Sequence, residues 1–257
     1  MQHRARILLA TFFILLAASP ASAETSAEAR KWLDKLTANF DEGPLQVSYS
    51  ARLSLASMGF TGTLNGRYAQ ADPTHSRMEL DLELAGPPGM SAEPMKMKVL
   101  NVTDGTTVWT ELENAALGGS QVSKVALEDA AKLAASAGAG ITLDPAGMDP
   151  VAQMRSLTET MDFEVVERSE GTVTLRGTLT DQTNAMLAQL AGPGPVAFLF
   201  VLDESTGFPT ELRAEGETPF VEVEFTGLER PKSLPSELFQ YTPPEGVTVL
   251  DRGASLQ

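Results

Sequence analysis

The sequence predicts an α+β fold: a strongly curved antiparallel sheet of about ten strands, forming an unclosed half-barrel with a helical lid. Three observations predict it. Most of the chain alternates apolar and polar residues with period two, as strands with one buried and one wet face do. Helical periodicity is confined to a leading segment and to the middle of the chain. A sheet of so many twisted strands curls, and its concave apolar face then needs a cover.

The elements follow in chain order. Arg4 and Arg6 precede the apolar run Ile7 to Ala18, Pro20 breaks it, and Ala21-Ser22-Ala23 follows. This is the pattern of a cleavable signal peptide over residues 1–23, and the run is shorter than the ~20 apolar residues that span a bilayer. Residues 24–257 are expected to form a single domain with a helical insertion at about 123–161. Thr25-Ser26-Ala27-Glu28 fits a capping box. Ala29, Trp32, Leu33, Leu36 and Phe40 then recur at helical spacing until Gly43-Pro44.

Strands follow in which Val47 to Leu55, Phe60 to Tyr68 and Arg77 to Leu84 each alternate strictly. Lys96 to Val102 turns at Asp104-Gly105 into Thr106 to Leu112. The middle reads as helical. Val125 to Ala137 is alanine-rich, and Asp149-Pro150 opens a second helix with Val151, Met154, Leu157 and Met161 on one face. Gly138 to Gly147 links the two and is a candidate hinge. Strands return at Phe163–Arg168, Val173–Thr180, Val196–Leu202, Phe208–Ala214 and Phe220–Gly227. A Pro-rich tail carries one short strand, Val247 to Asp251.

Composition excludes several chemistries. The 257 residues carry a formal net charge of −15, no cysteine and two histidines. Loss of Arg4 and Arg6 with the signal peptide would leave 17 basic against 34 acidic residues, or −17. Without cysteine there is no disulfide, no thiolate nucleophile and no acylated lipoprotein anchor. His75 is the one histidine beyond the signal peptide, and no Gly-x-Ser-x-Gly elbow accompanies it, so a hydrolase triad is not expected. Glu79, Asp81 and Glu83 alternate along one strand and read as a solvated face rather than a glycosidase pair. The acidity argues against nucleic acid as a partner. A soluble monomer without catalysis, cofactor or metal is the expectation.

Three short stretches resemble the periplasmic lipoprotein carrier family, LolA, and its superfamily. Phe239-Gln240-Tyr241-Thr242-Pro243-Pro244-Glu245-Gly246-Val247 resembles the family's C-terminal aromatic-x-aromatic-Thr-Pro-Pro-x-Gly-Val signature. Asp104-Gly105-Thr106-Thr107-Val108-Trp109 resembles its Asp-Gly-x-x-aliphatic-Trp hairpin, and Leu36 to Phe40 resembles the end of its leading helix. Where the family's carrier has an arginine that helps hold the lid, this chain reads Asp72-Pro73, with Arg67 and Arg77 as nearby substitutes.

The resemblance implies a hydrophobic cavity for acyl chains. The residues expected to line it are Trp32, Leu36 and Phe40 on the leading helix, and Tyr49, Leu53, Phe60, Leu64, Tyr68, Leu80 and Leu82 on the first strands. Met97, Trp109, Leu133, Met154, Leu157, Phe198, Phe200 and Phe225 complete the set. By periodicity alone, the strand residues among these are simply core. The implied function is a soluble periplasmic carrier. It would bind a lipid or the acyl chains of a lipoprotein and move them from an inner-membrane donor to an outer-membrane acceptor. A sensor or protein-interaction module on the same fold is the alternative.

Overall fold

The computed structural model describes residues 25–55, 59–87, 93–114, 118–130, 161–179, 196–216 and 219–256. One helix, α1 (Ala27–Asp41), precedes five strands: β1 (Leu45–Leu55), β2 (Phe60–Asp72), β3 (His75–Ala85), β4 (Met95–Asp104) and β5 (Thr107–Asn114). After β6 (Gly119–Ala126), residues 127–130 begin a helix. The sheet resumes with β7 (Met161–Ser169), β8 (Thr172–Leu179), β9 (Ala197–Asp203), β10 (Pro209–Glu215) and β11 (Pro219–Glu229). The tail contributes a 3-10 turn (Ser236–Phe239) and the short strand β12 (Val249–Asp251).

All twelve strands form one open, strongly curved sheet in the order β12-β6-β5-β4-β3-β2-β1-β11-β10-β9-β8-β7. The segments read as strands from the sequence account for all of these but β6, whose C-terminal residues Val125 and Ala126 read as the start of a helix. Neither face of Gly119 to Ala126 is apolar throughout, so its alternation is faint. Residues 123–126 of the expected insertion are therefore strand, and Met161 opens β7 instead of closing a helix. Every pairing is antiparallel except that of β12, which runs parallel to β6.

Register sorts the side chains. Leu53, Gly62, Leu84 and Met95 lie in one cross-strand row, as do Tyr49, Gly66, Leu80 and Val99. The same inner face continues through Val221, Val223 and Phe225 of β11 to Leu212 and Ala214 of β10 and to Phe198, Phe200 and Leu202 of β9. Residues from α1, β1 to β4 and β7 to β11 thus share one buried cluster. Two inner-face glycines make room for rings. A Cβ on Gly66 would sit 2.3 Å from the Tyr49 ring, and one on Gly177 would sit 2.7 Å from that of Phe163.

The outer face carries the polar half of each strand. Arg52 pairs with Glu222 at 3.2 Å, Lys96 with Glu83 at 2.8 Å and Arg77 with Glu79 at 2.8 Å. Glu79 and Glu83 are therefore ion-paired on the outside.

α1 is capped one residue later than the box predicts. The Ser26 hydroxyl accepts from Ala29 N at 3.1 Å, and Thr25 instead donates to the Met161 carbonyl at 3.4 Å. Ala29, Leu33, Leu36 and Phe40 are buried on its inner side, while Arg30, Lys31 and Asp34 are exposed. Among the described residues, no helix is long and apolar enough to cross a membrane.

Candidate functional site

The candidate site is the inner face of the sheet, and its two halves differ. Beneath α1, the half built from β1 and β7 to β11 is filled by rings. Phe40 meets Phe208 at 5.8 Å between centroids, Phe208 meets Phe225 at 6.3 Å, and Tyr49 meets Phe225 at 6.1 Å. Phe163 stands edge-on to Phe200 at 5.6 Å. Aromatic pairs at these separations pack as core does. Burial also pushes the Tyr49 phenol well above its ordinary value.

α1 is pinned over this half. Lys35 Nζ donates to the carbonyls of Glu204 and Ser205 at 2.8 and 2.9 Å. Asn39, itself buried, donates to the Thr206 carbonyl at 2.9 Å and accepts from Arg230 at 2.7 Å. Gln70 Nε2 donates to the Phe40 carbonyl at 3.1 Å, and Tyr68 donates to Gln70 at 2.8 Å. These bonds tie α1 to β2, to the turn between β9 and β10, and to Arg230 just after β11.

The other half, on β2 to β6, presents Leu64, Tyr68, Leu80, Leu82, Met97, Val99 and Leu112 on the same face. At its far end Ala130, on the helix that begins at residue 127, packs on Val108 and Val125. That helix starts on the inner side of the sheet. A groove of about 680 Å3 opens beside the β6 edge, between Val99, Thr110 and Leu112 on one side and Gly246 to Thr248 of the tail on the other.

The expected lining residues therefore divide. Leu36, Phe40, Leu53, Phe198 and Phe200 are buried in the core cluster, with Trp32, Tyr49, Phe60 and Phe225 packed against it. Leu64, Tyr68, Leu80, Leu82 and Met97 belong to the same cluster but lie on the β2–β4 half. Leu133, Met154 and Leu157, like the hinge at Gly138–Gly147, lie outside the described residues.

Trp109 is a correction. It pairs in register with Val102 and Lys124 on the outer face, while Val108 and Thr110 point inward. Its indole donates to Asp104 Oδ2 at 2.9 Å, and its ring lies 5.4 Å from that of Tyr241. Tyr241 in turn donates to Glu111 at 2.9 Å. Two of the three stretches that carry the family resemblance thus meet as one joint, in which the tail closes over the outer face. Phe239 is 3% exposed there and edge-on to His75, and Val102 beneath the tail is wholly buried.

The substitutes for the family's arginine also face outward. Arg67 pairs in register with Glu79, and Arg77 binds Glu79 and the Leu238 carbonyl. Asp72 accepts from the Thr74 amide at 2.8 Å and the Thr74 hydroxyl at 2.7 Å, and it lies 3.0 Å from His75 Nδ1. It therefore shapes a turn. His75 sits in that turn with a carboxylate and a threonine, which is a turn residue's setting.

Sequence reasoning missed a polar corner of the inner face, where Thr110, Gln121 and Ser123 come together across β5 and β6. The missing signal was β6 itself; once that strand is placed, Ser123 falls opposite Thr110.

No family profile and no curated protein matches the chain. Solved structures do. The Pseudomonas aeruginosa MucA/MucB complex matches at 17% identity and TM-score 0.43, over 84% of this chain and 62% of that one. This chain therefore spans less than two-thirds of the MucB length it matches. LprF from Mycobacterium bovis matches at 11% identity and TM-score 0.45, over 85% of this chain and 98% of LprF. A LolA superfamily protein from Nitrosomonas europaea matches at 13% identity and TM-score 0.32, over 83% and 97%. Each of these TM-scores is below 0.5, too low for a neighbour's function to be carried across. The structural neighbours of this chain thus include LolA superfamily proteins, the group its sequence motifs resemble.

Proposed function

We propose that the inner face binds the acyl chains of a lipid or lipoprotein, and that the protein carries them through the periplasm between membranes. One observation carries this reading. The apolar inner face continues without a break from the half beneath α1 onto Leu64, Leu80, Leu82, Met97 and Val99, buried in the same cluster, on a sheet that never closes. Methionine and leucine adapt to an unbranched chain. Each buried methylene contributes about 0.8 kcal/mol, so a long acyl chain contributes on the order of 10 kcal/mol before ordering costs. The acidic exterior keeps an apolar cargo soluble and away from anionic headgroups.

Organic extraction of the protein purified from its native host, followed by mass spectrometry, should return a lipid at near-stoichiometric yield. A clean protein that also fails to bind a fluorescent fatty-acid probe would sink the proposal. Capture of a protein partner without any lipid transfer would replace it with the sensor reading.

A further inference from the structure

The chain has three tyrosines. Tyr68 donates to Gln70 and Tyr241 to Glu111, as a phenol held away from water usually does. Tyr49 is the exception: among the described residues its hydroxyl has no hydrogen-bond partner. Nor is it closed off. Thr110 Oγ1 is sealed, but the Tyr49 oxygen keeps accessible surface. Tyr49 is half-buried, whereas Val47 and Ala51, which flank it on the same face of β1, are buried. Its ring lies against Phe225 and reaches across β2, where a Cβ on Gly66 would sit 2.7 Å from the phenol oxygen. The hydroxyl is thus carried over Gly66 toward the β2–β4 half. Along the register row from Phe225 through Gly66, Leu80 and Val99 to Leu112, no other side chain is polar. None of the inner-face side chains of β1, β3 and β4, or of β2 up to Gln70, is charged.

We propose that the Tyr49 hydroxyl anchors the cargo on the inner face, donating its hydrogen to the carbonyl oxygen of an acyl ester whose chain lies over Leu80, Leu82 and Met97. The inference rests on the lipid-binding reading above and adds a selectivity to it, for an esterified chain over a bare hydrocarbon or a free acid. Burial keeps the phenol protonated, so it is a donor. An ester carbonyl accepts that hydrogen without bringing charge. An ionised carboxylate would accept it too, but no cation faces it there, and a charge buried unpaired costs far more than one hydrogen bond returns. A hydrocarbon leaves the hydroxyl unbonded. Glycerolipids and acylated lipoproteins share the ester group.

The test uses the full chain, delipidated, and three probes measured by displacement of a fluorescent fatty acid: methyl oleate, oleic acid and the hydrocarbon 1-octadecene. Wild type should bind methyl oleate most tightly. Tyr49→Phe keeps the ring and removes the hydroxyl, so it should weaken methyl oleate about five-fold, the value of one net hydrogen bond, and leave octadecene unchanged. Its thermal midpoint should hold or rise, because an unbonded hydroxyl is gone; a purely structural role for the hydroxyl would lower it. The infrared carbonyl stretch of bound methyl oleate should lie at a hydrogen-bonded frequency in wild type and at the free ester's in Tyr49→Phe. Of dioleoylglycerol and a diacylated lipopeptide, the one that wild type binds more tightly identifies the source of the ester, and it should show the same loss in the variant.

An equal loss for methyl oleate and octadecene, no loss at all in Tyr49→Phe, or a carbonyl stretch that the substitution does not move would overturn the inference. Tighter binding of oleic acid than of its methyl ester by wild type would do the same. If wild type binds all three probes with equal affinity, only the ester anchor is lost. If it binds none, the lipid-binding proposal is lost with it.

Discussion

Asp104 organises the β4–β5 hairpin. Its carboxylate accepts from the Trp109 indole, from the amides of Thr106 and Thr107 at 3.0 and 2.8 Å, and from the Thr106 hydroxyl at 3.0 Å. Partial burial pushes this carboxyl up, but the hydrogen bonds outweigh it and hold it below the usual carboxylate range. Asp72 and Asp203 are lowered as well, chiefly by the hydroxyls of Thr74 and Ser205. A depressed carboxyl contributes stability that is present above its unfolded value, near 4, and is lost as pH falls through its folded value. Asp104→Asn should therefore lower stability at neutral pH by about 1–2 kcal/mol, since exposure screens the charge. It should also flatten the loss of stability between about pH 5 and 2. Urea midpoints across that range measure both, and an unchanged acid slope would refute the assignment. The Asp-Gly-x-x-aliphatic-Trp spacing was visible in the sequence, but its purpose was not. β5 has apolar residues on both faces, so alternation could not say whether Trp109 or Val108 points inward.

At the scale of elements, the outermost strands decide whether an open sheet stays soluble. β7 forms one edge. Its first residues are covered, because Ser26 N donates to the Phe163 carbonyl at 3.0 Å. Beyond them the register shifts between Val165 and Glu167, and Val166 is left 43% exposed. A bulge flanked by charge is a common defence against edge-to-edge pairing, and Glu164, Glu167 and Arg168 supply the charge here. Replacing Glu164 and Glu167 together by valine should leave the fold intact and produce concentration-dependent association in light scattering. A variant that associates no more than the wild type would show that the bulge alone suffices. The opposite edge, at β6, is capped by the parallel β12 over Val122 to Lys124 only. The existence of α1 and most strands was legible from their periodicity. β6 was not, because it lies between a Gly-Gly turn and an alanine-rich run and has no apolar face.

For the whole molecule, the C-terminal tail acts as a second skin. Phe239 packs on the outer face over β3 and β4 beside His75, and Tyr241 covers Trp109. Burial, followed by the Glu111 hydrogen bond, pushes the Tyr241 phenol above its ordinary value. Phe239→Ala should cost about 3–5 kcal/mol in chemical denaturation, typical of a buried ring removed to leave a cavity. It should leave acyl-chain binding unchanged, because the ring lies on the opposite side of the sheet from the proposed site. Loss of binding in step with a small loss of stability would instead place the tail in the lipid path. The ion pairs across the outer strands are exposed and contribute little each, so they are not what holds the sheet in shape.

The sequence by itself determined which residues lie together on one face of each strand, because side chains alternate with period two whatever the strand pairs with. It also determined the leading helix, the hairpin turns and the acidic exterior. Only the tertiary structure decided which face is inner, how β12 docks, and which distant segments hold α1. Those outcomes depend on contacts between distant residues, such as Tyr241 with Glu111 and Asn39 with Thr206. Local periodicity carries no information about contacts of that range.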